Sequence, residues 1–436
     1  MAQFRPFHGI RFNPNKISDL ADVICPPYDI ISPAEQEAYY RRSDYNMIRL
    51  EFGRNQSGDA PGNNKYTRTG ETFRQWIQDG ILHRDESPSF YIHKQLFQFR
   101  GTEVERLGLT GCLKLEPWEK RIVLPHENTR ERPKQDRLQL LRACRANISP
   151  IFVLYEDENN TVGAILSDIQ KGPPLLNLSL ETGEKHWIWK IEKPEQTAII
   201  EKAFISSSLS IADGHHRYET AITFHSEVKG SDIEESAGYV MITLVDFKDK
   251  GLLILPVHRL VKGLSAGQLG SLKNRFENLF ILETVPLHNS DSQGKPFPEE
   301  LNHWHDSAKS IGVLGVKHGE LLKLTYRPEK DYNALMPAGH SPYYNNLDVS
   351  RLQHMILDDL FSDGKEADVM YTHDEMEVFQ KTSSGEYQLG FLLPPLKAGD
   401  IKHTALSGDK MPEKSTYFYP KLPTGLVMRR LEPGTL

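Results

Sequence analysis

The 436-residue chain is expected to fold as an α+β (mixed α/β) protein. Two β-patterned runs, 89–99 and 105–115, follow one another across a short Arg100-Gly101 turn, which reads as a β-hairpin. Amphipathic helices are interspersed with the strands, as in Tyr66 to Asp79, where Phe73, Trp76 and Ile77 share a face and Gly80 is the stop. Later the order strand, helix, strand recurs over 367–393.

Each element has a local reason. Ile24-Cys25-Pro26-Pro27-Tyr28-Asp29 is a stiff approach to a turn, because two prolines fix the backbone. Ser32-Pro33-Ala34-Glu35 starts a helix that runs to about Arg42, with Ser as N-cap, Pro at N1 and Glu at N3. The Gly- and Asn-rich run 53–64 reads as a loop. After the hairpin come a basic helix over 130–145, with Leu138, Leu141 and Cys144 as its stripe, and a buried strand over 149–155. Lys185 to Ile191 is a strand whose Trp187 and Trp189 share a face, suited to core packing or to stacking on a base. A short helix covers 194–204, and strands are expected over 237–245 and 252–257, paired with each other. Beyond Gly263 the expectations are a helix over 265–280, a link over 290–298 and a hairpin from 311–316 and 320–326. Helices follow over 348–361 and 398–407, the first started by Asp348 or Ser350.

Composition narrows the function classes. Hydrophobic content of 38% and charged content of 25% suit a globular protein, and the length suits two or three domains. A net charge of −7 gives no overall basic footprint, so no nucleic-acid partner is expected. No run approaches the roughly 20 apolar residues of a membrane helix, and Met1 to Pro6 lacks a signal peptide's apolar core. A cytoplasmic protein without a membrane partner is expected. Cys25, Cys112 and Cys144 are odd in number and far apart, with no zinc-ligand spacing. The oligomeric state is not legible.

Three stretches carry chemistry. In Ser210-Ile211-Ala212-Asp213-Gly214-His215-His216-Arg217-Tyr218 a strand meets a helix through a glycine. Asp213 is the expected N-cap, and His215, His216 and Arg217 add cationic donors to a helix N-terminus that already favours anions. A phosphate site is the expectation; the plain alternative is a capped helix with surface or core histidines. The second stretch is Pro125-His126-Glu127-Asn128-Thr129, a strand end offering a carboxylate base beside a histidine. The third is Pro412-Glu413-Lys414-Ser415-Thr416-Tyr417-Phe418-Tyr419-Pro420-Lys421, in which Lys414, Ser415, Thr416 and Lys421 resemble an anion-holding loop.

Asp213-Gly214-His215-His216-Arg217 resembles the signature box of the ParB/sulfiredoxin-like superfamily, whose members bind nucleotides. With the Pro-Pro-Tyr-Asp, His-Glu-Asn-Thr and Pro-x-Lys-Ser-Thr-Tyr-Phe-Tyr-Pro-Lys motifs, the whole chain is similar to a widespread prokaryotic family of unknown function. The informative relatives are the ADP-dependent free L-serine kinases of archaea, which carry Pro-His-Glu, Asp-Gly-His-His-Arg and Pro-Lys-Thr-Thr motifs in that order. The resemblance implies a ParB/sulfiredoxin-like nucleotide-binding core over 89–262. An N-terminal extension over 1–88 would pack on it, and a C-terminal α/β domain over 263–436 would carry the Lys-Ser-Thr motif. It also implies phosphoryl transfer from ATP or ADP, with Mg²⁺, to a small-molecule hydroxyl such as that of L-serine. Glu127 would be the base, with His126 and Asp213 beside it in the catalytic set. Gly214, His215, His216 and Arg217 would hold the nucleotide, and Lys414, Ser415 and Thr416 the acceptor or the product phosphate. Asp213 would hold Mg²⁺ or orient a histidine.

Two relatives are disfavoured. Sulfiredoxins need a cysteine where His215 stands, and ParB proteins add a helix-turn-helix that is not evident here. A nucleotide-binding regulator without turnover and a nucleotide phosphohydrolase remain as alternatives.

Overall fold

The computed structural model describes residues 1–205, 207–287, 310–361 and 368–434. The expected link over 290–298 lies outside them. The chain groups into two compact units, which are taken one at a time. The first comprises Met1–Pro125, Thr129–Leu253 and Pro420–Leu436; the second comprises His126–Asn128 and Ile254–Tyr419. The sequence suggested three consecutive segments, whereas these units are interleaved along the chain.

The first unit is built on a nine-stranded mixed sheet. Its strands are β1 (Phe4–Arg5), β2 (Phe90–Phe99), β3 (Thr102–Lys114), β4 (Val123–Leu124), β5 (Ile151–Tyr155), β6 (Leu176–Ser179), β7 (Lys185–Ile191), β8 (Leu209–Asp213) and β9 (Tyr239–Asp246). They lie in the order β4-β8-β5-β9-β3-β2-β7-β6, with β1 against β3. The pairs β8–β4 and β9–β5 are parallel. The hairpin β2–β3 closes over Arg100 and Gly101, both left-handed (φ 50° and 75°). That is the two-residue turn whose twist matches a hairpin. β9 pairs with β3 and β5, so the expected partner for it over 252–257 is corrected.

The unit also carries helices. They include α1 (Pro33–Arg42), α2 (Lys65–Gln78), α3 (Glu131–Cys144), α4 (Thr161–Ile169), α5 (Pro194–Ala203) and α6 (His215–Glu227). Ser32 and Glu35 make the reciprocal capping box that the sequence promised for α1. The main core gathers Phe90, Leu109, Ile151, Val153, Ile211, Tyr218 and Leu244. A second core joins Phe12, Met47, Ile48, Phe73, Trp76 and Leu82 of the N-terminal region to Leu140 and Cys144 of α3. Trp189 is buried and its indole N–H donates to the Gly172 carbonyl at 3.0 Å, which makes it a core residue and not a stacking platform.

The second unit carries a six-stranded antiparallel sheet of β10 (His258–Lys262), β11 (Phe280–Pro286), β12 (Ser310–Leu314), β13 (Glu320–Tyr326), β14 (Asp368–Thr372) and β15 (Leu389–Leu392). The order is β11-β13-β12-β15-β10-β14. Leu260, Leu314, Leu321, Val378, Tyr387 and Leu392 form its core. Helix α7 (Ala266–Leu279) starts from a Ser265–Gln268 capping box, and α8 (Glu375–Ser383) and α9 (Ala398–Leu406) follow. The helix expected over 348–361 is interrupted: Asp348–Leu352 gives way to a wider π-helical turn, Gln353–Leu357, before Asp358–Leu360. Neither Asp348 nor Ser350 caps it, because the cap position falls on Leu347.

Candidate functional site

In the first unit the Asp-Gly-His-His-Arg stretch lies at the junction of β8 and α6. β8 is fully inside the sheet, flanked by β4 and β5, and its register against β5 slips between Ile211 and Asp213. The slip is a local bulge that re-aims the strand end. Asp213 is the last strand residue; Gly214, not Asp213, takes the cap position of α6, which corrects the expected cap. Gly214 adopts φ +98°, a region that side chains rarely enter. A Cβ placed there would sit 3.1 Å from the Arg217 guanidinium, so the glycine also makes room for that group.

The charges around Asp213 are specific. Arg217 Nη2 lies 3.5 Å and Lys421 Nζ 3.4 Å from the same oxygen, Asp213 Oδ2. Arg217 Nη1 also donates to the Pro150 carbonyl, at the entry to β5. His215 is buried, and His216 faces the start of α3, its Nε2 accepting the Arg130 backbone N–H at 2.9 Å. Thr129 donates to Glu219 at 2.6 Å, and Lys134 lies 3.5 Å from the same carboxylate. A carboxylate already facing two side-chain cations is a poor ligand for Mg²⁺, and no cluster of three His, Cys, Asp or Glu suited to a metal occurs among the described residues. The surroundings suit an incoming anion, drawn by Arg217, Lys421 and the first N–H groups of α6.

Lys421 was singled out only as part of a loop, yet its side chain is nearly buried in the first unit. Its backbone is clamped by side chains of β2 and β3. The Lys421 carbonyl accepts from Gln95 at 3.4 Å, and the Pro420 carbonyl accepts from Arg106. Arg106 is almost fully buried, bonded to Gln95 and set over the Phe152 ring at 5.0 Å. Burial pushes its pKa down to about 10. Nothing in the local sequence of β3 marks Arg106, because Phe152 and Pro420 lie far along the chain.

The second unit holds the other two stretches together. His126 is buried, and its carbonyl accepts the Met411 N–H at 2.8 Å; Glu127 and Met411 form a parallel bridge. His126 Nε2 and Thr416 Oγ1 share a hydrogen bond of 3.1 Å, and the ring meets Phe418 edge-on. The Lys414 N–H donates to Glu127 Oε1 at 2.7 Å. Lys414 is itself left-handed, at φ 55°. Ser415 is buried and donates to the Pro412 carbonyl. Glu127 thus already fixes the backbone of the Lys414-Ser415-Thr416 loop. Arg259, at the start of β10, is buried against Tyr371 and donates to the Glu413 carbonyl at 3.3 Å. Burial pushes it down to about 10, against the opposing pull of Tyr371 and Glu127.

A family model described as protein of unknown function (DUF1015) matches residues 4–350. The chain belongs to that family. Among curated proteins no match was found. Among solved structures, a free serine kinase in complex with AMP is similar at 11% identity and a TM-score of 0.37, over 71% of this chain and 88% of its own. A conserved hypothetical protein from Pyrococcus furiosus gives 12% and 0.36, over 71% and 92%. SbnI with a C-terminal truncation, from Staphylococcus aureus, gives 12% and 0.33, over 73% and 86%. Among the described residues of this family member no helix is long and apolar enough to cross a membrane.

Proposed function

We propose that the chain is a phosphotransferase that moves a phosphoryl group from ATP or ADP to a small-molecule hydroxyl, with L-serine the first acceptor to try. The observation that carries the reading is the β8–α6 junction. A left-handed glycine opens a helix N-terminus beside Arg217 and Lys421, two cations that converge on one carboxylate. Phosphoryl transfer asks a protein mainly for cations around the phosphates and a carboxylate near the attacking hydroxyl. Gly214, His215, His216 and Arg217, joined by Lys421, would hold the nucleotide phosphates. The acceptor oxygen would attack the terminal phosphorus, its bond to the bridging oxygen would break, and the hydroxyl proton would pass to Glu127. Lys414, Ser415 and Thr416 would hold the acceptor. The choice of serine rests on the order of the three motifs alone.

One observation favours a second reading, a nucleotide-binding protein without turnover. Glu127 Oε1 already accepts the Lys414 N–H, a structural task that any binder would keep. Incubation with ATP or ADP, with and without Mg²⁺, and a pool of hydroxylated metabolites including L-serine separates the readings. A phosphorylated product that disappears in Glu127→Gln, while nucleotide binding persists, supports the transferase. Nucleotide loss without an acceptor would make the chain a phosphohydrolase, and binding without any product would make it a regulator. Arg217→Ala is expected to weaken nucleotide binding; unchanged affinity would remove the β8–α6 junction from the phosphate site.

A further inference from the structure

The N-terminal region of the first unit contains a second set of cations that the phosphotransferase reading does not use. Between the end of α1, Arg49, the start of the 53–64 loop and the first turns of α2 lies a cavity of about 210 Å³. Arg49, Arg54, Lys65 and Arg68 line it with the hydroxyls of Thr69 and Thr72, and no carboxylate is in its wall. Four acids pair with these cations: Asp44 with Arg49, Glu37 with Arg54, Asp136 with Lys65 and Asp59 with Arg68. The charge is therefore balanced from outside the cavity.

The cations are not equivalent. Arg68 grips Asp59 through both terminal nitrogens, and Lys65 shares Asp136 with Tyr66 and Arg137. Those two are committed. Arg49 and Arg54 bond their acids through Nη2 alone, and those acids are half or more exposed, so the pairs are screened and readily exchanged. The Arg54 guanidinium carbon lies 3.7 Å from the centre of the Tyr40 ring and that of Arg49 4.7 Å from the same ring. Contact with the ring holds both guanidinium groups in place. Among the described residues neither Nη1 group donates to protein, and the Thr72 hydroxyl makes no bond.

We infer that this cavity binds a phosphate group, free or as a small phosphomonoester. Two guanidinium groups held against one ring, each with an Nη1 that donates to no described protein group, plus a hydroxyl, match the several acceptor oxygens of a phosphate better than the two of a carboxylate. The volume equals roughly seven waters, enough for the phosphate and a short organic tail. The site is independent of the β8–α6 junction, since no residue of Asp213 to Arg217 lines it.

Calorimetric titration of the full chain at low ionic strength with inorganic phosphate and phenyl phosphate tests it, with acetate as control. Saturable binding of a phosphate probe is expected in both the wild type and Arg217→Ala. Arg54→Lys, which keeps the charge and removes the Nη1 donor, is expected to weaken it roughly tenfold or more. Equal binding of both probes would assign the phosphate group alone, and tighter phenyl phosphate an ester. Binding lost in Arg217→Ala but kept in Arg54→Lys, or no binding to the wild type at millimolar concentration, would overturn the inference. A readout on the wild type needs no variant to fold: phosphate should protect Arg49 and Arg54 from phenylglyoxal, followed by peptide mass. Equal labelling with and without phosphate would also overturn it.

Discussion

Truncating Glu127 to alanine separates its structural task from its proposed chemical one. The Lys414 N–H reaches Glu127 Oε1 at 2.7 Å while Lys414 sits at φ 55°. A hydrogen bond to a charged acceptor contributes about 1.5–3 kcal/mol, and the partial exposure of this one argues for the low end. The left-handed backbone costs a non-glycine residue about 1–2 kcal/mol, which the bond offsets. In Glu127→Ala that cost stands alone, and local opening of the 411–416 loop should become easier by about 1.5 kcal/mol, or roughly tenfold. Amide hydrogen exchange followed on peptides over 411–419 would read this as roughly tenfold faster exchange at Lys414. Lys414→Gly in the Glu127→Ala background should recover most of the difference, because glycine enters that region without penalty. Glu127→Gln keeps a neutral acceptor and should lie between. Equal protection in the wild type and Glu127→Ala would refute the anchoring role and leave the carboxylate to chemistry alone.

The buried His93–His186 pair, joined at 3.0 Å, predicts acid sensitivity. Burial, aided by Arg106, holds His186 down at about 4 from an ordinary 6.5, and burial likewise lowers His93. Both rings stay neutral when folded and take up protons on unfolding, so stability is complete above pH 6.5 and falls as pH drops towards 4. His186 alone accounts for roughly 3 kcal/mol, readable in urea melts across that window; a flat profile would contradict it. Gly214→Ala should cost at least ~1 kcal/mol in stability through its φ of +98°, and should weaken nucleotide binding by crowding Arg217; melting and titration check the two effects. Cys25, Cys112 and Cys144 are all buried, and burial pushes Cys112 up to about 11 and Cys144 to about 12. None should react with a thiol reagent such as Ellman's until the chain unfolds, and rapid labelling of the native protein would contradict this.

Local grammar was legible where neighbours in sequence settle the structure. The Ser32 cap, the Arg100-Gly101 hairpin and the strand-to-helix step at Gly214 each depend on a few consecutive residues. Elements without such marks were missed. The edge strand β6 buries one side chain fully, Leu178, so its pattern resembles a loop; α4 starts at a left-handed Asn160 with no side-chain cap. For the candidate site, residue types could be read but not their partners. Lys421 meets Asp213 across some 200 residues, Arg259 reaches the Glu413 carbonyl, and Glu127 turns out to hold a backbone amide. Such pairings depend on tertiary context that no local window contains.

The return of residues 420–434 to the first unit has a consequence for how the protein is made. Arg429 is fully buried there, donating to the carbonyls of Ser236 and Tyr239, and Thr424 exchanges backbone bonds with Cys25. On the ribosome, everything from Ile254 to Tyr419 must be synthesised between the bulk of that unit and its closing segment, a wait of roughly ten to thirty seconds. Through that interval the nascent sheet lacks the carbonyl that Arg106 clasps and the guanidinium that Ser236 and Tyr239 receive. The early-made majority of the unit therefore waits, without these partners, until residues 420–434 have been made.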